Sequence, residues 1–164
     1  MGIILQNSKN NFDVLFVCLG NICRSPAAEA IARHYHQGFP ILGLIDSAGT
    51  SAFHVGEPPH KIMQEVATQR GISMKNQYSR QVSVQDFYDF SFILAMDSQN
   101  LSDLKKIKPA DSKAQLTTLL EFSDGYGGDV PDPYYGGKAG FIACFEIIEQ
   151  GVQGFLEHIK NFKV

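Results

Sequence analysis

One stretch limits what this chain can fold into more than any other: Val14-Leu15-Phe16-Val17-Cys18-Leu19-Gly20-Asn21-Ile22-Cys23-Arg24-Ser25-Pro26. Residues 14–17 are an apolar run of strand length, the pattern of a buried strand. Gly20 and Asn21 tolerate positive φ and mark a tight loop. Ser25 followed by Pro26 reads as an N-cap with proline at the first helical position. The helix it opens should run through Ala27, Ala28, Ile31, Ala32 and Tyr35. Ala28 stands where a capping box needs Glu or Gln, so the box is absent.

A strand, a tight turn and a helix start point several backbone N–H groups into one concavity. The unpaired N–H groups of the helix add partial positive charge there. The segment from Leu19 through Gly20, Asn21, Ile22, Cys23 and Arg24 to Ser25 is therefore a candidate cradle for a tetrahedral oxyanion such as phosphate. Cys18 sits at its base. The same N–H groups and Arg24 should lower its pKa below the free value of about 8.5. Arg24 can grip two phosphate oxygens through its planar fork. A thiolate beneath a bound phosphoryl group is an activated nucleophile, whereas the plain alternative for Cys18 is a buried packing cysteine. Cys23 has two open readings, a small packing residue or a redox partner of Cys18. Cys144 lies beside an apolar helical stripe and reads as packing.

The rest of the chain alternates strands with helices. Residues 41–48 read as a second strand, and residues 60–70 as a helix with Ile62, Met63, Val66 and Ala67 on one face and Gly71 as its stop. Residues 72–84 are polar and irregular. Residues 90–96 read as a third buried strand, 97–107 as a helix, and 115–120 as a fourth strand. Residues 124–137, rich in Gly, Pro, Asp and Tyr, have the length and composition of a functional loop. The last helix, 139–162, carries Phe141, Phe145, Ile148, Val152, Phe155 and Ile159 at alternating four- and three-residue steps, a stripe that buries it against a sheet. Gly151 and Gly154 each weaken that helix by about 1 kcal/mol relative to Ala and would permit close backbone approach. The class is α/β, a three-layer sandwich with a parallel sheet between helices, the phosphate-binding loop following the first strand.

The string from Cys18 to Pro26 resembles the low molecular weight protein tyrosine phosphatase family in its bacterial form. Similar pieces follow in order: Asp46-Ser-Ala-Gly-Thr-Ser51, His54-Val-Gly-Glu-Pro-Pro59, Ser79-Arg-Gln81, Ala95-Met-Asp97 and Asp132-Pro-Tyr-Tyr-Gly136. The resemblance implies a four-stranded parallel sheet. It also implies hydrolysis of phosphotyrosine through a phosphocysteine, with Cys18 as nucleophile and Arg24 as clamp. Ester cleavage needs a proton for the departing oxygen. Asp132 is the candidate acid, in the long loop before Pro133; Asp124, Asp129 and Asp132 suit a simple Asx turn equally well. The match to the family's acid loop favours Asp132. By the same resemblance Ser25 bonds the Cys18 sulfur, while Asn21, Ser47 and Asp97 support the loop. Gln77 stands where the family often has a histidine. Phe53, His54, Tyr134 and Tyr135 match positions lining the substrate cleft, where aromatic walls would flank a phenyl ring and exclude short aliphatic phosphates.

With 164 residues the chain makes one domain, residues 12–164, after a mostly polar extension of residues 1–11. Ile3-Ile4-Leu5 is too short for a signal-peptide core, and no run has the length of a membrane span. A net charge of −3 gives no general pull toward nucleic acid or anionic membrane. Three cysteines at irregular spacing form no disulfide framework, so a reducing cytoplasm is the simpler setting. The histidines show no zinc spacing and no Walker loop is present, so neither metal nor cofactor is expected. Expected partners are phosphotyrosine proteins, including a bacterial tyrosine kinase, with inorganic phosphate or vanadate as inhibitor. Two rivals remain: a thiol-dependent arsenate reductase of the same fold, which needs a relay of further cysteines, and a non-catalytic phosphoryl-binding module, which would need neither nucleophile nor acid.

Overall fold

The apolar run reading as a buried strand is the middle of β1, Phe12–Cys18. Val14, Leu15, Phe16 and Val17 are wholly buried. Burial on both faces follows from position: in the sheet order β2-β1-β3-β4, β1 lies between β2 (Leu42–Gly49) and β3 (Phe92–Ala95), with β4 (Gln115–Thr118) at the far edge. All three pairings are parallel, which requires a crossover between strands. Those crossovers supply α1 (Arg24–His36), α2 (Lys61–Gln69), α3 (Asp86–Asp89) and α4 (Ser98–Ile107), and α5 (Gly137–Lys160) closes the chain. The protein's structure is a computed structural model that describes residues 12–37, 42–123, 127–134 and 136–161. The extension read in residues 1–11, the break at residues 38–40, Ile41, Asp124 and Tyr135 lie outside them.

The two-residue side-chain period divides β1 between two cores. Val14, Phe16 and Cys18 join α1, α2 and α5 on one face. Leu15 and Val17 join Phe87 of α3 and Leu104 of α4 on the other. The expected stripe of α5 is buried at all six positions. A Cβ on Gly151 would stand 2.8 Å from Leu119 Cγ, and one on Gly154 would collide with the Phe122 carbonyl oxygen. These glycines let α5 lie against the 3-10 turn Leu119–Phe122, which continues the short β4 where a longer strand is predicted. Among the described residues, no helix is long and apolar enough to cross a membrane.

One local reading is corrected, and one short helix is added. Ser25 is not the N-cap of α1. The helix begins at Arg24, Cys23 holds the cap position, and no side chain caps it. The Ser25 hydroxyl is taken by tertiary partners instead, and Pro26 still falls in the first turn, where an N–H has no intrahelical partner. The irregular segment after Ile72 is followed by α3, a single turn too short for a periodicity argument. Its start is held by Asp86, whose carboxylate accepts from Ser83 N and from Arg80.

Candidate active site

Cys18 is the last residue of β1, and the chain after it folds over the end of β2. Thr50 N donates to Cys18 O and Ser51 N to Leu19 O, each at 2.9 Å. Gly49 makes this approach possible, since a Cβ there would lie 2.7 Å from Leu19 O. Asn21 takes the left-handed conformation, with φ of 57°. Gly20 has a different reason to be glycine: a Cβ would meet the His54 ring at 2.9 Å. The resulting turn sends Asn21 N–H back to Cys18 Sγ at 3.2 Å, with Ser25 Oγ 3.0 Å from the same sulfur.

Beneath the loop lies a buried polar chain. Asn21 Nδ2 donates to Ser25 Oγ at 2.8 Å and to Ser47 Oγ at 3.0 Å. Ser47 Oγ donates to Glu29 Oε1 at 2.6 Å. Arg80 N–H donates to Asn21 Oδ1 at 3.0 Å. Because Ser25 Oγ accepts a hydrogen bond from Asn21, its own hydroxyl proton is directed to Cys18 Sγ or, at 3.3 Å, the Ala48 carbonyl. Glu29, 5% exposed, was not singled out from the sequence. Its signal was there: an acid on an otherwise apolar helical face, four residues before Arg33, which pairs with it at 2.8 Å. Gln77 lies apart from Asn21 in its bonding. Its Nε2 donates to the Pro26 carbonyl at 2.9 Å, and its Oε1 is buried without a partner among the described residues. Ser79, quoted as a motif without a role, donates to Gly20 O at 2.9 Å.

Arg24 is 3% exposed. Its Nη1 donates to Asp97 Oδ2 at 2.7 Å and to the Val130 carbonyl at 3.0 Å. Its Nη2 faces Asp132 Oδ2 at 3.6 Å. Burial by itself would lower the guanidinium pKa, but the charges of Cys18, Asp97 and Asp132 outweigh it and the net direction is upward. Asp97 does two things. One oxygen caps α4 by accepting from Asn100 N, while the other holds Arg24. The segment leading to Asp132 is pinned at Val130, whose N–H donates to Met96 O. Asp129 is committed to Ser98, accepting from both its N–H and its hydroxyl. Asp132 accepts from Tyr134 N at 3.1 Å, and its side chain is half exposed beside Arg24.

Cys18, Leu19, Gly20, Ile22, Cys23, Arg24 and Asp132 line one cavity of about 270 Å³, together with Phe53, His54, Tyr134 and Ser51. Ser51 is an addition to the sequence reading. Asn21, Ser25 and Ser47 lie below it, and Asp97 behind Arg24. Phe53 is 86% exposed and forms an outer wall. Cys23 is buried and its thiol is pushed far up, first by burial and then by the charges of Cys18 and Asp132. Cys144 is buried on α5, where burial pushes its thiol up to about 12.

The model of the family described as "Low molecular weight phosphotyrosine protein phosphatase" matches residues 13–163. The chain is 42% identical to the low molecular weight protein-tyrosine-phosphatase YfkJ of Bacillus subtilis, over 92% of this chain and 97% of that one. Its structure resembles a protein tyrosine phosphatase from Entamoeba histolytica with a TM-score of 0.86 and 36% identity, covering 94% of this chain and 100% of that one. It also resembles a Drosophila arginine phosphatase with a TM-score of 0.84 and 35% identity, covering 90% and 98%. A parallel four-stranded sheet ending in a Cys-Arg loop, with matches of this extent, places the chain in the low molecular weight protein tyrosine phosphatase family.

Proposed function

We propose that this chain hydrolyses phosphotyrosine in proteins through a phosphocysteine, with Cys18, Arg24 and Asp132 as the catalytic residues. The observation that carries the reading is the convergence of these three side chains, from a strand end, a helix start and a distant loop, on one cavity. Cys18 Sγ attacks phosphorus and the bond to the tyrosine oxygen breaks. Asp132 gives its proton to that oxygen as it leaves. Arg24 and the N–H groups of Leu19 to Ser25 hold the three equatorial oxygens, which carry the charge of the transition state. Asp132 then takes a proton from water, the water oxygen attacks phosphorus, and the P–S bond breaks to release phosphate and the thiolate. Asn21, Ser25, Ser47 and Asp97 keep the loop in shape.

Phe53, His54 and Tyr134 present ring surfaces at the mouth, which suits a flat phenyl group. The substrates are phosphotyrosine proteins, a bacterial-type tyrosine kinase among them, and inorganic phosphate or vanadate competes for the cradle. A reducing cytoplasm suits a site that depends on a free thiolate. The arsenate reductase reading lacks support, because Cys144, the cysteine outside the loop, is buried with its thiol held protonated. The test compares a phosphotyrosine peptide with a phosphoarginine peptide, since an arginine phosphatase shares the fold. Faster turnover of phosphotyrosine is expected, abolished in Cys18→Ser and reduced about 10²–10³-fold in Arg24→Lys, whose point charge cannot replace the fork. A preference for phosphoarginine, or substantial turnover by Cys18→Ser, overturns the proposal.

A further inference from the structure

His60 stands between the two halves of the site, and nothing in the sequence reading drew it out. It follows Pro58-Pro59 and holds the cap position of α2. Its backbone N–H donates to the carbonyl of Ile22, within the phosphate loop, at 2.7 Å. Its Nδ1 accepts from Ile62 N at 3.1 Å, which fixes the ring plane. A cap alone asks for Ser, Thr, Asp or Asn. The imidazole has further contacts that those side chains cannot make. One is with Phe141 of α5, ring centroids 4.6 Å apart. The other is with Tyr134, at 5.7 Å and an interplanar angle of 80°, an edge-to-face arrangement.

Tyr134 is two residues beyond Asp132, and its N–H donates to Asp132 Oδ1. A continuous path therefore runs from the nucleophile loop through Ile22 O, His60 and Tyr134 to the carboxylate of Asp132. We propose that His60 is a positioning residue: its ring docks the acid-bearing segment and so sets where Asp132 stands relative to the phosphate held above Cys18. The inference rests on Asp132 being the acid proposed above. Asp132 itself is half exposed and joined to Arg24 at 3.6 Å, so it depends on its neighbours for placement. His60 shares no atom with the substrate in this assignment; it acts through Tyr134.

Two substitutions separate the ring from the cap. His60→Asn keeps an acceptor for Ile62 N–H and removes the ring. His60→Phe keeps a ring and removes the acceptor. The measurement is kcat/KM across aryl phosphates of rising leaving-group pKa, for wild type, both variants and Asp132→Asn. His60→Asn should lose about 10- to 100-fold on poor leaving groups, as a displaced catalytic group does. It should stay near wild type on nitrophenyl phosphate, which needs little protonation, with inhibition by vanadate unchanged. His60→Phe should recover most of the loss on poor leaving groups. A wild-type slope in His60→Asn beside a steep slope in Asp132→Asn overturns the inference alone. A uniform loss on every substrate in both variants makes His60 a residue of the fold and also overturns it. A flat slope in Asp132→Asn removes the acid assignment, and this inference with it.

Discussion

At the scale of single residues, two thiols share one loop and one cavity. Cys23 shares the loop with Cys18 and lines the same cavity, yet burial first, then the charges of Cys18 and Asp132, push its thiol up against the opposing effect of Arg24. The two readings of Cys23, packing and redox partner, make opposite forecasts under peroxide. As the partner, Cys23 attacks a sulfenic acid on Cys18, forming the disulfide and releasing water. Its raised pKa leaves little thiolate at neutral pH, and that fraction grows about tenfold per pH unit below the pKa. After limited peroxide, the share of activity restored by dithiothreitol should therefore rise with pH in wild type and stay low in Cys23→Ala. Equal recovery in both proteins would leave Cys23 as packing. The same scale shows where sequence reading stops. The loop, Arg24 and the acid segment are legible because local residue types announce them. The burial of Glu29 is announced by its helical face, but its partner Ser47, 18 residues away, is not, and nothing local announces the pairing of His60 with Tyr134, 74 residues away.

At the scale of elements, periodicity is a dependable guide and termini are not. The stripe of α5 is legible because six apolar residues at helical spacing have one good solution, burial on one side. The start of α1 is not, since Ser25 is a good cap by residue type but its hydroxyl sits between Asn21 and Cys18. A cap of about 1 kcal/mol is outweighed when the same hydroxyl completes a buried network. The glycines of α5 offer a direct check on packing. Gly154→Ala places a methyl group against the Phe122 carbonyl. We expect a net loss of about 1–3 kcal/mol despite the better helix propensity. Gly140, in the same helix, has open space where its Cβ would go. Gly140→Ala should gain up to about 1 kcal/mol. Thermal melting of the two variants checks both signs, at about 2–4 °C per kcal/mol for a chain of this size.

At the scale of the molecule, the strand order puts the site where it is. The chain passes from β1 to β2 on one side, then crosses to β3 on the other, so the carboxyl end of β1 opens beside a topological switch point. Cys18 ends β1, Gly49 ends β2 with Ser51 just beyond it, and Asp97 follows β3, which gathers residues distant in sequence at one edge. A cradle made jointly by three strand ends exists only in the folded chain, so its ligand should stabilise the whole molecule. Phosphate at about a hundred times its Kd should add about 2.7 kcal/mol. That corresponds to a rise of about 5–11 °C in melting temperature. Cys18→Ser should keep the shift, and Arg24→Ala should lose most of it. An unchanged melting temperature in wild type with saturating phosphate or vanadate would argue against an anion cradle in this loop.

What the sequence determined by itself is whatever a short span dictates. That includes a buried strand, a turn tolerant of positive φ, a thiol and a guanidinium in one loop, and the alternation that makes a parallel sheet. These follow from side-chain period, backbone freedom and charge, which act between near neighbours. Only the tertiary structure decided that Asp97 holds Arg24 while Asp129 is spent on Ser98, and that the bond of Ser25 to the Cys18 sulfur, which the resemblance implies, takes the place of a helix cap. It alone placed His60 between Tyr134 and Phe141. The physical reason is that a buried polar group or ring takes the partner that folding brings within reach, and burial makes leaving it unpaired costly.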